Sequence, residues 1–248
     1  MTKKYFLVFF LLTVTAFYCR AQSFTLGVMG EAKNTWLVNT AVMGATTEQE
    51  VKPSFGFAGG FTACVYFQQQ IDTYLGVGID AIFGNHSQRY SGRVSGSPTL
   101  ATYNSKVNLL FLDLPVYAKL VLRFGTYVEA GMQFSLLASA WYKSTGGLET
   151  SVNAKSKFSP FYYGPLVGLG ADIPVSDDMY IFAGLRFVYG ISDLKGVDGQ
   201  GNDVSVPVNG APDYSGKKTH AAYVALNLGV YYRLDIGKYG KVGRHRRQ

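Results

Sequence analysis

His86 is followed at once by Ser87 and then by Ser91, and His220 lies near the other end of the chain. A histidine within hydrogen-bond reach of a serine is the core of nucleophilic ester chemistry, because the imidazole must take the hydroxyl proton. Here Ser87 and Ser91 form no recognisable motif with His86, and the two histidines fall on segments that are not neighbours. His86 reads as a loop histidine at the end of a strand, and no catalytic residue is expected. Asp198-Gly199-Gln200-Gly201-Asn202-Asp203 has the residue types of a calcium loop. It lacks the ligand spacing and closing Glu of an EF-hand, so it reads as a flexible Gly-rich loop and no metal site is expected. Cys64 alternates with Gly60 and Thr62, which suits packing better than thiol chemistry. The glycine pairs follow strand-like segments and open no helix, so no dinucleotide or other cofactor is implied.

The remaining chemistry-bearing residues are scattered charges: Asp80, Asp113, Lys119, Glu129, Asp172, Arg186 and Arg233. Each falls on the small-residue face of an alternating segment. In a narrow interior they must pair or meet water, because an unpaired buried charge is costly. Lys119 and Glu129 lie on adjacent antiparallel segments about a short turn, which predicts that they pair. The alternative use of such charges is a proton or ion path.

Eight segments position these residues: 24–30, 54–67, 73–84, 106–122, 126–141, 159–173, 179–190 and 220–234. Side chains alternate across a strand, so each segment has two faces. In 54–67, Phe55, Phe57, Phe61, Val65 and Phe67 oppose Ser54, Gly56, Gly60, Thr62 and Cys64. In 126–141, Val128, Met132, Phe134 and Leu136 oppose Tyr127, Glu129, Gly131, Gln133, Ser135 and Ser139. An eight-stranded interior is filled by side chains and has no room for Phe and Leu from every strand. The greasy face therefore points to lipid and the small, polar face inward. Pro115 and Pro165 lie inside the segments and read as local bulges, since proline cannot donate to a ladder.

The joints alternate in length. Those near 31–53, 85–105, 142–158 and 191–219 are long and polar; those at 68–72, 123–125 and 174–178 are short. Long extracellular loops, tight periplasmic turns and an even strand count are the layout of an outer-membrane barrel. The predicted fold is all-β, an eight-stranded antiparallel transmembrane up-and-down β-barrel.

The N-terminus agrees. Lys3 and Lys4 precede an uncharged apolar run from Tyr5 to Tyr18, and Cys19-Arg20-Ala21 supplies a cleavage site. Residues 1–21 read as a secretory signal peptide, 22–236 as the barrel domain and 237–248 as a basic periplasmic tail. Tyr18 before Cys19 is too bulky for lipidation. Cleavage leaves Cys64 as the one cysteine, so the exported chain forms no intramolecular disulfide. Charged residues are 16% and aromatics 15% of the chain. The formal charge of +7 comes from the signal (Lys3, Lys4, Arg20) and the tail (Lys238, Lys241, Arg244, Arg246, Arg247). Without them the body is near neutral, which removes the case for nucleic acid.

Leu112-Asp113-Leu114-Pro115-Val116-Tyr117-Ala118-Lys119 resembles the (L/I)-(E/D)-(I/L)-P-x-x-x-K strand of the PorT-like outer-membrane β-barrel family. Tyr127-Val128-Glu129-Ala130-Gly131 and Gly168-Leu169-Gly170-Ala171-Asp172 are similar to later segments of that family. The resemblance covers about 24–236 and implies a barrel in the cell outer membrane of a Gram-negative bacterium. It implies no catalytic or binding residue. The function expected is that of a structural or interaction protein, without an open pore, presenting extracellular loops. The alternatives are an accessory component of a secretion system, a small solute channel or, last, a lipid-modifying enzyme. The partners expected are outer-membrane lipids including lipopolysaccharide, the barrel insertion machinery and a periplasmic or secretion-system partner.

Overall fold

Segment 73–84 shows why these residues make strands. Leu75, Val77, Ile79 and Phe83 alternate with Gly76, Gly78, Asp80 and Gly84. β-branched and aromatic side chains fit a pleated surface, and the period of two gathers them on one side. The computed structural model describes residues 23–38, 49–70, 73–93, 102–145, 150–194 and 218–235. The signal segment, the Asp198–Asp203 loop, the tail and parts of the outer loops lie outside these residues.

The described strands are β1 (Ser23–Val38), β2 (Gln49–Gln70), β3 (Thr73–Arg93), β4 (Thr102–Val121) and β5 (Thr126–Thr145), then β6 (Thr150–Asn153), β7 (Phe161–Pro174), β8 (Met179–Tyr189) and β9 (His220–Asp235). Eight of them form one antiparallel ring, in which β5 pairs with β7 and β9 returns to β1. Closure runs the whole length of β1, from Ser23 opposite Asp235 to Val38 opposite His220. The short β6 stands outside the ring, paired to the far end of β5 through Trp141–Ser144.

The faces point as the alternation requires. Phe57 is 71% exposed, Leu226 55% and Ile79 50%. Asp80, Asp113, Lys119, Glu129, Asp172 and Arg186 are all buried inside the ring. The tight turns also agree. Gly125 has φ 78°, a left-handed conformation that side chains resist, and its N–H donates to the Leu122 carbonyl at 2.9 Å. At the next tight turn the N–H of Val175 donates to the Met179 carbonyl.

Three expectations need correction. First, the strands run well into the segments read as outer loops: β1 continues to Val38, β2 begins at Gln49, β3 reaches Arg93, β4 begins at Thr102 and β5 reaches Thr145. There the pattern inverts. Leu37, Tyr90, Val107, Leu109 and Tyr142 face inward in an apolar cluster, while Arg89, Lys106 and Lys143 face outward. Beyond the lipid the wall is packed like a water-soluble sheet, with the apolar side enclosed.

Second, the prolines are not bulges. Pro115 sits in register opposite Gln133, and β3 and β4 keep the same register on either side of it, Ile79 opposite Val116 and Ile82 opposite Asp113. The ladder simply skips the pairs between. Pro165 is in register opposite Met132, and β7 pairs with β8 only from Leu166, so its missing N–H falls beyond that ladder. Third, a true irregularity lies between Leu110 and Phe111, where Ser139 and Leu137 are their respective partners. The extra residue on β5 reverses its faces. Ser139 therefore shares the outer face with Leu110, and Ala140 and Tyr142 turn inward.

Leu226→Arg or Ile79→Arg places a charge on the lipid face near mid-membrane, at a cost of about 2–4 kcal/mol. We expect either variant to lose the heat-modifiable gel migration of a folded barrel. Normal migration of both would contradict the assigned facing.

Candidate functional site

The narrow lumen sets the chemistry available. Four cations, Arg233, Lys119, Arg186 and Lys33, come from β9, β4, β8 and β1, and each meets its own set of partners.

Nearest the tight-turn end, the Arg233 guanidinium lies 4.7 Å from the ring centre of Tyr180, 5.3 Å from Tyr74 and 5.4 Å from Tyr66. Its Nη1 donates to the Tyr180 hydroxyl at 3.3 Å. Aromatic faces thus hold this cation. Lys119 Nζ donates to Asp172 Oδ1 at 2.9 Å and sits 3.8 Å from the Tyr127 ring centre. Arg186 is the hub of the next layer. Its Nε donates to Glu129 Oε1 at 2.7 Å and its Nη1 to Asp80 Oδ2 at 2.8 Å. Tyr117 donates to the other oxygen of Asp80 at 2.9 Å. A rigid guanidinium fork can satisfy two carboxylates from two strands at once, which an ammonium cannot do in the same plane.

Further along, Lys33 Nζ donates to Asp113 Oδ2 at 3.0 Å, and His86 Nε2 lies 3.0 Å from the same oxygen. Ser135 donates to Asp113 Oδ1 at 2.6 Å. Gln133 links this layer to tyrosines, donating to Ser135 Oγ at 3.0 Å and accepting from the Tyr223 hydroxyl at 2.5 Å. Glu31 lies between the two layers, 3.8 Å from both Lys33 and Arg186, with neither oxygen hydrogen-bonded. A cavity of about 20 Å³ lies beside Asp80, Lys119 and Arg186. That is room for about one water.

The outer end of the lumen is closed by apolar side chains. Leu37, Tyr90, Val107, Leu109, Phe111, Leu137 and Tyr162 pack with Ala154, Phe158 and Leu194 from the outer connections. Five of these, Leu37, Tyr90, Ala154, Phe158 and Leu194, come from segments that the alternation pattern does not read as strand.

Several sequence expectations change here. Lys119 and Glu129 are register partners, yet they do not pair as side chains: Lys119 reaches across to Asp172 on β7, and Glu129 is taken by Arg186 on β8. In a closed ring the wall curves inward, so a long side chain reaches past the adjacent strand and a partner one strand further round outcompetes the adjacent one. His86 is not a loop histidine. It is buried in the lumen with the rings of Phe111, Tyr223 and Tyr162 at 5.0, 5.1 and 6.0 Å. Ser87 turns away and donates to Asn108 Oδ1. Ser135, Asp113 and His86 do adjoin, but Ser135 gives its proton to the carboxylate and not to the imidazole. The hydroxyl is therefore not activated as a nucleophile. His220 accepts from or donates to nothing catalytic; its Nδ1 lies 2.9 Å from the Gly190 carbonyl and its ring stacks on Tyr189. Cys64 is buried at the Gly76 position of β3, as packing requires. Glu31 and Lys33 escaped the sequence reading because they fall in 31–53, where no alternation of large and small side chains marks a strand.

Removing one partner of a buried ion pair leaves an uncompensated charge and costs about 3–5 kcal/mol. Arg186→Met should lower unfolding stability in urea, measured in lipid vesicles, by about that amount. Arg186→Lys should recover only part of it, because one ammonium cannot span Glu129 and Asp80. Equal stability of the three proteins would show that the hub is not an anchor.

Comparison with known proteins places this architecture. No curated protein matches the sequence. Among solved structures, the chain is similar to Neisserial surface protein A, at 13% identity with 84% of this chain and 96% of that one covered and a TM-score of 0.38. It is similar to Ail, the attachment invasion locus protein of Yersinia pestis, at 12% identity, 86% and 99% coverage and a TM-score of 0.36. The outer membrane protein OprG from Pseudomonas aeruginosa matches at 14% identity, 87% and 97% coverage and a TM-score of 0.38. The family model described as outer membrane protein beta-barrel domain matches residues 21–196, most of the chain. With that match and a closed ring of eight amphipathic strands, the chain belongs to the outer membrane protein beta-barrel domain family and resides in the cell outer membrane.

Proposed function

We propose that this protein is a closed outer-membrane barrel of structural or interaction type, whose work is done by its outer rim and loops and not by its lumen. The observation that carries this reading is the filled interior. Arg233 among its tyrosines and the cation–carboxylate layers of Lys119, Arg186 and Lys33 occupy the lumen, and an apolar lid that includes Phe111, Tyr162 and Phe158 closes the outer end. A channel needs a continuous polar path wide enough for a solute, and an eight-stranded ring filled by Tyr and Arg side chains leaves none. The chemistry at His86 supports no hydrolytic role, since its serine neighbours lack the geometry of a nucleophile.

The finer family reading rests on the Leu112–Lys119 motif, which favours a PorT-like member. Its Asp113 and Lys119 are both lumen anchors, so the motif is explained by barrel packing. It names no partner. The partners that suit this reading are the surrounding lipids, the machinery that inserts barrels and a component on the periplasmic side.

Purified protein in a planar bilayer should give no steady single-channel conductance. Reproducible open steps that Arg186→Met enlarges would overturn the closed-lumen reading. For orientation, single cysteines placed in a Cys64→Ser background at Lys155 and Ser176 separate the two ends. Lys155 should label on intact cells and Ser176 only after disruption. The reverse pattern would invert the topology.

A further inference from the structure

Four adjacent strands place a base at the same register position on the outer face of the barrel. Lys52 on β2 is directly opposite Arg89 on β3, Arg89 is opposite Lys106 on β4, and Lys106 is opposite Lys143 on β5. Beyond Lys143 the row ends at Ser151 on β6 and contains no acid. Residues directly opposite in an antiparallel ladder share a face, and like charges there are destabilising. With strands about 4.8 Å apart, the four bases span about 14 Å.

Two features make the row more than a solvated edge. The β2 strand is out of step with β3 between Pro53 and Ala58, and without that irregularity Lys52 would fall on the opposite face from Arg89. The irregularity therefore brings a fourth base into line with the other three. The row also lies just beyond the apolar band. On the same face, Trp141 is two residues before Lys143, Leu110 four residues after Lys106 and Phe55 three after Lys52. Aromatic residues mark the level at which hydrocarbon gives way to headgroups. A line of cations at that level faces the phosphates of whatever lipid fills the outer leaflet.

We propose that Lys52, Arg89, Lys106 and Lys143 form a binding strip for the phosphate groups of an outer-leaflet glycolipid. This rests on the reading of the long loops as the external side. The mutual repulsion of Arg89, Lys106 and Lys143 is relieved when phosphates bridge neighbouring strands, and Arg89 supplies a planar fork suited to a phosphate edge. The strip requires no cavity: the ligand lies against the wall with its acyl chains along the apolar band below.

The test uses the full chain in phosphatidylcholine vesicles that contain either phosphorylated lipid A or the same lipid A with its phosphates removed. The wild type is compared with Arg89→Gln/Lys106→Gln and with the charge-preserving Arg89→Lys/Lys106→Arg. Bound lipid is quantified by mass spectrometry after gentle detergent extraction, and stability by the heat-modifiable gel shift. The wild type should retain phosphorylated lipid A at least tenfold over the dephosphorylated form, and should gain thermal stability from it. The Gln variant should lose both preferences, and the charge-preserving variant should keep them. In vesicles without lipid A phosphates, the Gln variant should be at least as stable as the wild type, because repulsion has been removed. Equal retention of both lipids by the wild type would overturn the proposal. So would a Gln variant that keeps the preference, or one destabilised equally in every vesicle, which would make the row structural. If only binding of a soluble sulfated polysaccharide fell in the Gln variant, the row would serve an external polyanion and the proposal would fail. The labelling pattern at Lys155 and Ser176, measured on intact cells, separates a reversed topology from a failed strip.

Discussion

Inside hydrocarbon no water competes for a backbone N–H or C=O, so every such group in a crossing segment must find its partner within the protein. A sheet meets that demand only if its two edges find each other. Here they do so in the pairing of β1 with β9, which is unbroken over sixteen register partners. Most other features follow from this closure. Eight strands fix a narrow interior. The outward faces can then be as greasy as the lipid, and the inward faces must fill a space with little tolerance.

That tolerance explains the pairing of large with very small residues on neighbouring strands, Tyr117 opposite Gly78 and Glu129 opposite Gly168. A Cβ at Gly78 would lie 2.6 Å from the Tyr117 ring, and one at Gly168 would lie 2.8 Å from the side-chain Cγ of Glu129. The tyrosine and the glutamate occupy the space their glycine neighbours vacate. Only then can Tyr117 reach Asp80 and Glu129 reach Arg186. Glycine in these strands weakens local β-preference, and the ion-paired layers offset that loss. Backbone closure, side-chain volume and charge pairing are thus one coupled solution.

The sequence made the membrane-crossing portion legible because lipid imposes a simple code there. Phe55 against Gly56 and Ile79 against Asp80 declare both the strand and its facing. The strand count, the tight turns and the inward placement of Asp80, Asp113, Lys119, Glu129, Asp172 and Arg186 follow from that code. Above the lipid the code stops. Asn85-His86-Ser87-Gln88-Arg89-Tyr90 alternates polar with polar, and the segment reads as loop. It is strand because its neighbours extend alongside it and because His86 and Tyr90 enter an enclosed interior. Partner choice was illegible for a different reason. Adjacency in the ladder is a sequence property, but Lys119 with Asp172 is a contact that passes over the strand between them, set by the curvature of the closed sheet. The bulge on β5 was hidden for a third reason: Leu136, Leu137 and Ala138 are all small or apolar, and any of them suits either face.

The inner and outer charges of this barrel obey opposite rules, and the contrast clarifies what each is for. Inside, Lys33 and Arg186 stand within 3.0 Å of carboxylates contributed by other strands, because a charge buried in the filled interior is costly unless it is paired. The strands there are in regular register and the charges are placed by side-chain reach. Outside, Arg89, Lys106 and Lys143 stand opposite one another, where water and salt screen their repulsion. There the register itself makes the arrangement. The lumen charges lock the ring from within. The outer row, in a chain whose lumen is occupied by its own side chains, is the more accessible of the two to a ligand.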